Sequence, residues 1–153
     1  MTRVPARASC SGVTLLELVV VVAIMATATI FALPAIRVGN DHLQLRAGAS
    51  RVASLLREAR QQAVTHRRPA RVTLETNRHA AALAWDGTDE PIRRVELPGR
   101  FRLDAAGGPE ALTFSPRGLV RDARWTVEGP GGRRLVVEVH GITGRVTVGA
   151  PAP

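Results

Sequence analysis

The sequence predicts an α+β fold: a long N-terminal hydrophobic helix, a second helical segment, and antiparallel sheet built from everything after it. Three observations predict this. Residues 18–36 are apolar and uncharged; residues 41–68 repeat apolar side chains every three or four positions; and beyond Pro69 the period drops to two. A helical region followed only by strands lays its apolar stripe on an antiparallel sheet or pair of sheets. At 153 residues there is room for one modest domain beside the apolar run.

Residues 1–12 form a short basic leader with Arg3, Arg7 and the only cysteine, Cys10. After it comes GVTLLELVVVVAIMATATIFALPAI, Gly12–Ile36, interrupted by a single carboxylate, Glu17. Leu18–Ile36 as a helix rises ~28 Å, close to the ~30 Å of a bilayer's hydrocarbon core. Counted from Val13 the helix reaches ~36 Å, which places Glu17 near a membrane face. With the arginines before the run and the bulk of the chain after it, the positive-inside rule leaves the leader in the cytoplasm and sends the C-terminal domain outward. An acid at membrane depth costs ~2.5–3.5 kcal/mol or more and marks a functional position.

Three readings compete for this segment. A cleavable secretory signal has an apolar region of roughly 7–15 residues and a small-residue cleavage site, for which Ala26-Thr27-Ala28 is a candidate; this run is longer and carries an acid. A plain signal anchor explains length and orientation but not Gly12 or Glu17. The third reading uses all of it: Gly12-Val13-Thr14-Leu15-Leu16-Glu17 resembles the processing signal of type IV pilins and type II secretion pseudopilins, departing only at Val13, where Phe or Met is more usual. The resemblance implies cleavage between Gly12 and Val13 by a prepilin peptidase, N-methylation of Val13, and Glu17 pairing with the Val13 amine of a neighbouring subunit. Cleavage removes Cys10, so the mature chain has no thiol, disulfide or thiolate metal site.

Pro34 interrupts the helical pattern, and two outcomes stand open: a kink within a continuing helix, or a helix end followed by a restart with Asn40 or Asp41 as N-cap. In the restarted pattern Leu45, Ala49, Val52, Leu56, Ala59 and Ala63, with Leu55 beside them, form an apolar stripe ending near Arg67 or Arg68 before Pro69. The stripe is short and Ala-rich, which suits packing on the protein's own sheet better than a zipper seam. The expected organisation is a leader over 1–12, a stem helix over 13–36, an amphipathic helix over 37–68 and a β-rich domain over 69–150.

Candidate strands are 70–76, 80–85, 92–97, 101–104, 111–115, 123–127, 135–140 and 145–148. In the seventh, Leu135, Val137 and Val139 alternate with Val136, Glu138 and His140, as a half-buried strand requires. Turn signals part the runs, among them Asp86-Gly87, Pro98-Gly99, Ser115-Pro116-Arg117-Gly118 and Thr143-Gly144. The passages RVASLLREARQQAVTHRRPARVTL, LTFSPRGLV and LVVEVHGITGRVTV look like the helix-to-strand passage and the C-terminal F-x-P-x-G and G-R-V pattern of the GspH/FimT branch.

No catalytic or metal constellation emerges, and no cofactor is expected. His42, His66, His79 and His140 lack ligand spacing; Gly129–Gly132 lacks the lysine and following helix of a phosphate loop. The acids of Asp86–Glu90 lack the spacing of a calcium loop. Net charge is +8 with 21 arginines and no lysine; without the leader, 19 arginines face 13 carboxylates, a net +6. Such a balance fits either coding bias or a basic surface. Arg67-Arg68, Arg93-Arg94 and Arg133-Arg134 are candidate phosphate contacts, with Arg93 and Arg94 the ones singled out for DNA. Few aromatics accompany them, which does not favour nucleic acid as a partner.

Taken together, the resemblance implies a minor pseudopilin of a type II secretion system, single-pass in the bacterial inner membrane with a periplasmic domain. Its expected partners are the lipid bilayer, the peptidase, the inner-membrane assembly platform and other pseudopilins, near the tip of a filament. The alternative it implies is a FimT/FimU-like minor pilin of a type IV pilus, with DNA as a possible ligand. A membrane-anchored periplasmic enzyme is disfavoured by the missing site.

Overall fold

The computed structural model describes residues 14–151, with side chains throughout that range except for 30–39. The Gly12–Val13 junction, and the side chains of the apolar run from Ile30 onward, Pro34 included, lie outside the described residues. The chain divides into two units at Gly39/Asn40. Its elements are α1 (Leu15–Thr65), β1 (Ala70–Glu75), β2 (Ala80–Trp85), β3 (Pro91–Glu96), β4 (Arg102–Asp104), β5 (Ala111–Phe114), β6 (Ala123–Glu128), β7 (Arg134–His140) and β8 (Arg145–Gly149). Single 3₁₀ turns follow β1 and precede β7. All eight expected strands are present, displaced by no more than one residue at either end.

The helix decides between the two outcomes left open at Pro34. The assignment is continuous from Leu15 to Thr65, passing through position 34, so the restart at Asn40 or Asp41 does not occur. Proline removes one amide donor and crowds one turn, and the hydrogen bonds on either side can carry the helix past it. The two supposed caps are occupied otherwise. Asn40 Oδ1 accepts from Gln44 Nε2 at 3.2 Å, and Asp41 Oδ1 pairs with Arg100 Nη1 at 3.0 Å.

The helix stops slightly earlier than expected, for a local reason. Arg67 lies in the left-handed region at φ 50°, the Arg68 amide reaches back to the Ala63 carbonyl at 3.2 Å, and the Arg67 amide reaches Val64 O at 3.4 Å. That pair of bonds is the Schellman closure, which satisfies carbonyls the helix end leaves free. Glycine usually takes the position Arg67 holds, because a side chain there costs roughly 1–2 kcal/mol. Pro69 follows and ends any continuation.

Two four-stranded antiparallel sheets make up the β-rich part, in orders β3-β2-β1-β5 and β4-β6-β7-β8. Every residue of the expected stripe is buried, together with Ala53. Burying leucines such as Leu55 and Leu56 contributes roughly 1.5–3 kcal/mol each. The small residues have their own purpose. Ala49, Ala53, Ala59 and Ala63 are fully buried, and a Cβ at Gly48 would lie 3.0 Å from Leu97 Cδ2, so the helix rests close against its neighbours. Consecutive helix residues reach different sheets: Arg57 Nη2 donates to Val146 O of β8 at 3.1 Å, while Glu58 Oε2 accepts from Arg93 Nη1 of β3 at 2.5 Å. The helix therefore bridges the two sheets and closes one core with both. Trp125, Phe101 and Phe114 are the largest fully buried side chains, and the Trp125 indole N–H donates to Pro109 O at 3.0 Å.

Arg60 locks the far end of α1 to two turns. Its Nε donates to Gly118 O at 3.4 Å, and a Cβ at Gly144 would fall 2.5 Å from that Nε and 2.6 Å from Gly118 O. Gly144 has φ +62° as well, so backbone angle and space both demand glycine. Opposite outcomes follow from one principle. Gly144→Ala lowers unfolding stability by about 1–3 kcal/mol. Arg67→Gly, which relieves a left-handed residue at the cost of chain entropy, changes it upward by up to about 1 kcal/mol. Urea unfolding midpoints of the two variants check the signs; a harmless Gly144→Ala contradicts the packing described.

Candidate assembly surfaces

The head of α1 is built by its first four described residues. The Glu17 amide donates to Thr14 Oγ1 at 3.2 Å, and the Leu18 amide donates to Thr14 O at 3.2 Å. Thr14 is thus the N-cap and Glu17 the third helical residue, the T-x-x-E spacing of a capping box. The position also sets the Glu17 carboxylate against the positive end of the helix dipole, worth typically 0.3–1 kcal/mol at an exposed site. Sequence reasoning picked out Glu17 for its isolation and missed Thr14, although the spacing was the signal. Glu17 has no ion-pair partner among the described residues.

Beyond the cap, residues 15–29 show apolar side chains on every side. Exposure runs from 82% at Leu15 to 48% at Val20, so no face is covered within the unit. A helix apolar all round belongs in a membrane or a large core. Its two threonines are internally satisfied: Thr27 Oγ1 donates to Ala23 O and Thr29 Oγ1 to Met25 O, both at 2.8 Å. Back-bonding of this kind removes the penalty of carrying a hydroxyl into an apolar setting. Among the described residues, no helix is long and apolar enough to cross a membrane. About a third of the expected span, residues 30–36, lies where side chains are not described.

The arginine pairs separate onto different elements. Arg93 is held by Glu58, and Arg94 Nη2 meets Glu75 Oε1 at 3.1 Å. Arg68 lies over the Trp85 ring at 5.3 Å, and Arg134 faces Glu128 at 3.5 Å. Arg93 and Arg94 stand on an edge strand of one sheet and Arg134 opens β7 of the other, so common strands do not gather them. Asp86 pairs with Arg71 at 3.9 Å in its turn. Among the described residues no polar or charged residue is buried, and no three His, Cys, Asp or Glu side chains converge as metal ligands.

A sequence model described as type II transport protein GspH matches residues 48–143. The chain belongs to the GspH family. The match spans this GspH-family chain from the last third of α1 into the turn after β7, so it takes in the helix stripe from Ala49 onward, the first sheet and all but the last strand of the second. Type II secretion system protein H of Xanthomonas campestris pv. campestris is 28% identical over 161 residues, covering 96% of this chain and 89% of that protein. Two solved structures share the fold. The type IV minor pilin FimU of Pseudomonas aeruginosa aligns with TM-score 0.62 and 18% identity over 72% of this chain and 95% of its own. The minor pseudopilin EpsH of the Vibrio cholerae type 2 secretion system gives 0.56 and 14%, over 72% and 99%. The pilin-like α+β architecture expected from the sequence is the one this GspH-family chain has.

The cap makes a prediction. In a stem peptide spanning Val13–Thr29 in detergent micelles, Thr14→Ala destabilises the first turn by about 0.5–2 kcal/mol, whereas Thr14→Ser leaves it nearly unchanged. Amide exchange at Glu17 and Leu18 reads the difference, and equal exchange in the two variants contradicts the cap.

Proposed function

We propose that this GspH-family chain is a minor pseudopilin of a type II secretion system, cleaved after Gly12, methylated at Val13 and packed near the tip of a periplasmic filament. The observation that carries this reading is the stem: a capped helix whose apolar side chains are exposed on all sides, joined to a domain that has closed its own core. Such a stem needs lipid before assembly and other stems after it. The bilayer, the prepilin peptidase, the inner-membrane platform and further pseudopilins are therefore its partners, with the leader cytoplasmic and the β-rich domain periplasmic. Pro34 supplies a local weakness at which the stem bends in the filament. The type II assignment draws on the Xanthomonas relative, whose similarity extends over nearly the whole chain.

Glu17 has two tasks here. Its backbone and position complete the helix cap, and its carboxylate meets the Val13 amine of the next subunit. Removing one partner of a buried ion pair costs roughly 3–5 kcal/mol, because the other charge is left stranded. The likeness to FimU keeps a type IV pilus in view as the second reading. Its DNA-binding form draws little support from Arg93 and Arg94, which are already held by Glu58 and Glu75.

Mass spectrometry of the chain from its native host tests the assignment. A mature N-terminus at methylated Val13 supports it; a start at Thr29, or a retained Met1, overturns it. In the same cells Glu17→Ala lowers incorporation into sheared filaments by more than about tenfold, a change of ~1.4 kcal/mol or above.

A further inference from the structure

The end of the domain around the C-terminus of α1 presents an apolar centre among unpaired cations. Ile142 is 89% exposed, Leu119 46% and Val64 42%. These three belong to different segments that hydrogen bonds and close contacts draw together. A Cβ at Gly118 would lie 3.2 Å from Val64 Cγ2, which sets the 115–119 turn against the last turns of α1. The Val120 amide donates to Gly141 O at 3.2 Å, and the Gly141 amide donates to Asp122 Oδ1 at 2.7 Å, stitching that turn to the one bearing Ile142.

Neither exposed residue sits on a slack loop. The Leu119 amide donates to Ser115 Oγ at 3.1 Å, and the Ser115 amide donates to Leu119 O at 2.8 Å. The Gly144 amide closes the turn under Ile142 by donating to His140 O at 2.7 Å. Two aliphatic side chains are thus held out to solvent by ordered backbone, the preorganisation that lowers the cost of binding.

Charge surrounds them unevenly. Arg117 in the first turn, Arg121 just after it and Arg145 at the start of β8 are exposed and carry no ion pair among the described residues. Arginines on β3, β6 and β7 are matched by carboxylates, while exposed Arg46, Arg51, Arg102 and Arg133 lack an ion pair among the described residues as these three do. Asp122, the acid beside the turns, is engaged with the Gly141 amide. An apolar centre inside a cationic rim is the plan of a protein interface.

We infer that this end is a docking surface for another protein whose contact face carries acidic residues around an apolar centre. A second copy of this chain would bring like charges together, which is penalised. Nucleic acid would use the arginines but gain nothing from three aliphatic side chains. Among the described residues it would also find few exposed aromatics for stacking: Phe101, Phe114 and Trp125 are buried, and Trp85 is flanked by Arg68 and His66. The inference rests on the assembly reading only in placing the chain beside other proteins.

Photocrosslinking with full-length chain in its native host tests it. Benzoylphenylalanine at Ile142 gives an adduct with one other protein, absent when the probe replaces Asp89 on the β2–β3 turn. The adduct maps to an acidic stretch and falls about tenfold on combining Arg117→Glu with Arg121→Glu. Ile142, Arg117 and Arg121 are exposed, so unfolding midpoints stay unchanged. Equal adducts at the two positions, an adduct with a second copy or with nucleic acid, or insensitivity to the charge reversal each overturn the inference. A methylated Val13 with no adduct at Ile142 removes this surface and leaves the pseudopilin assignment standing. An adduct on a chain that retains its leader does the reverse.

Discussion

Apolar side chains with nothing to cover them set the terms for this molecule. From Leu45 to Ala63, α1 buries its stripe between two sheets, and the domain needs nothing further. From Leu15 to Thr29 the same helix carries apolar residues on every side, none of them covered within its own unit. A soluble chain rarely leaves contiguous apolar surface of this kind in water, because each buried methylene is worth about 0.8 kcal/mol. The stem therefore dictates the company the protein keeps, and the domain dictates the surface it shows that company.

The few polar groups on the stem are arranged to cost little in such company. Thr27 and Thr29 return their hydroxyls to the helix, and the Thr14 hydroxyl takes the Glu17 amide. Only the Glu17 carboxylate is left over. A single charge at the mouth of an apolar helix is tolerable near a membrane face and valuable if a cation meets it there; in the proposed filament it would mark the register between neighbouring stems.

Much of this was legible in the residues. The eight strands stand where alternation and turn residues placed them, because each turn carries its own local chemistry. The stripe on α1 follows from spacing alone. The division into two sheets was not legible, since which strand pairs with which depends on partners far apart in sequence: β1 is flanked by β2 and β5, while β4 lies beside β6. Spacing alone left a continuing and a restarted helix both open, because Asn40 and Asp41 are good caps by type, and only the fold shows Asp41 spent on Arg100. Nothing in the spacing singles out Arg57 or Arg60, yet they donate to Val146 O and Gly118 O. Long arginines reaching backbone carbonyls across a domain leave no periodic trace. On the stem, Thr14 was visible in the T-x-x-E spacing and was overshadowed by the acid beside it.

The central claim is that lipid or neighbouring stems cover residues 15–29. Its most direct test is cysteine accessibility in spheroplasts of the native host, using single replacements at Ile24 and at Asp89 and a membrane-impermeant maleimide. The account predicts rapid labelling at Asp89→Cys and almost none at Ile24→Cys. Labelling of Ile24→Cys as fast as Asp89→Cys would mean that the stem stands in water, and the account would be wrong.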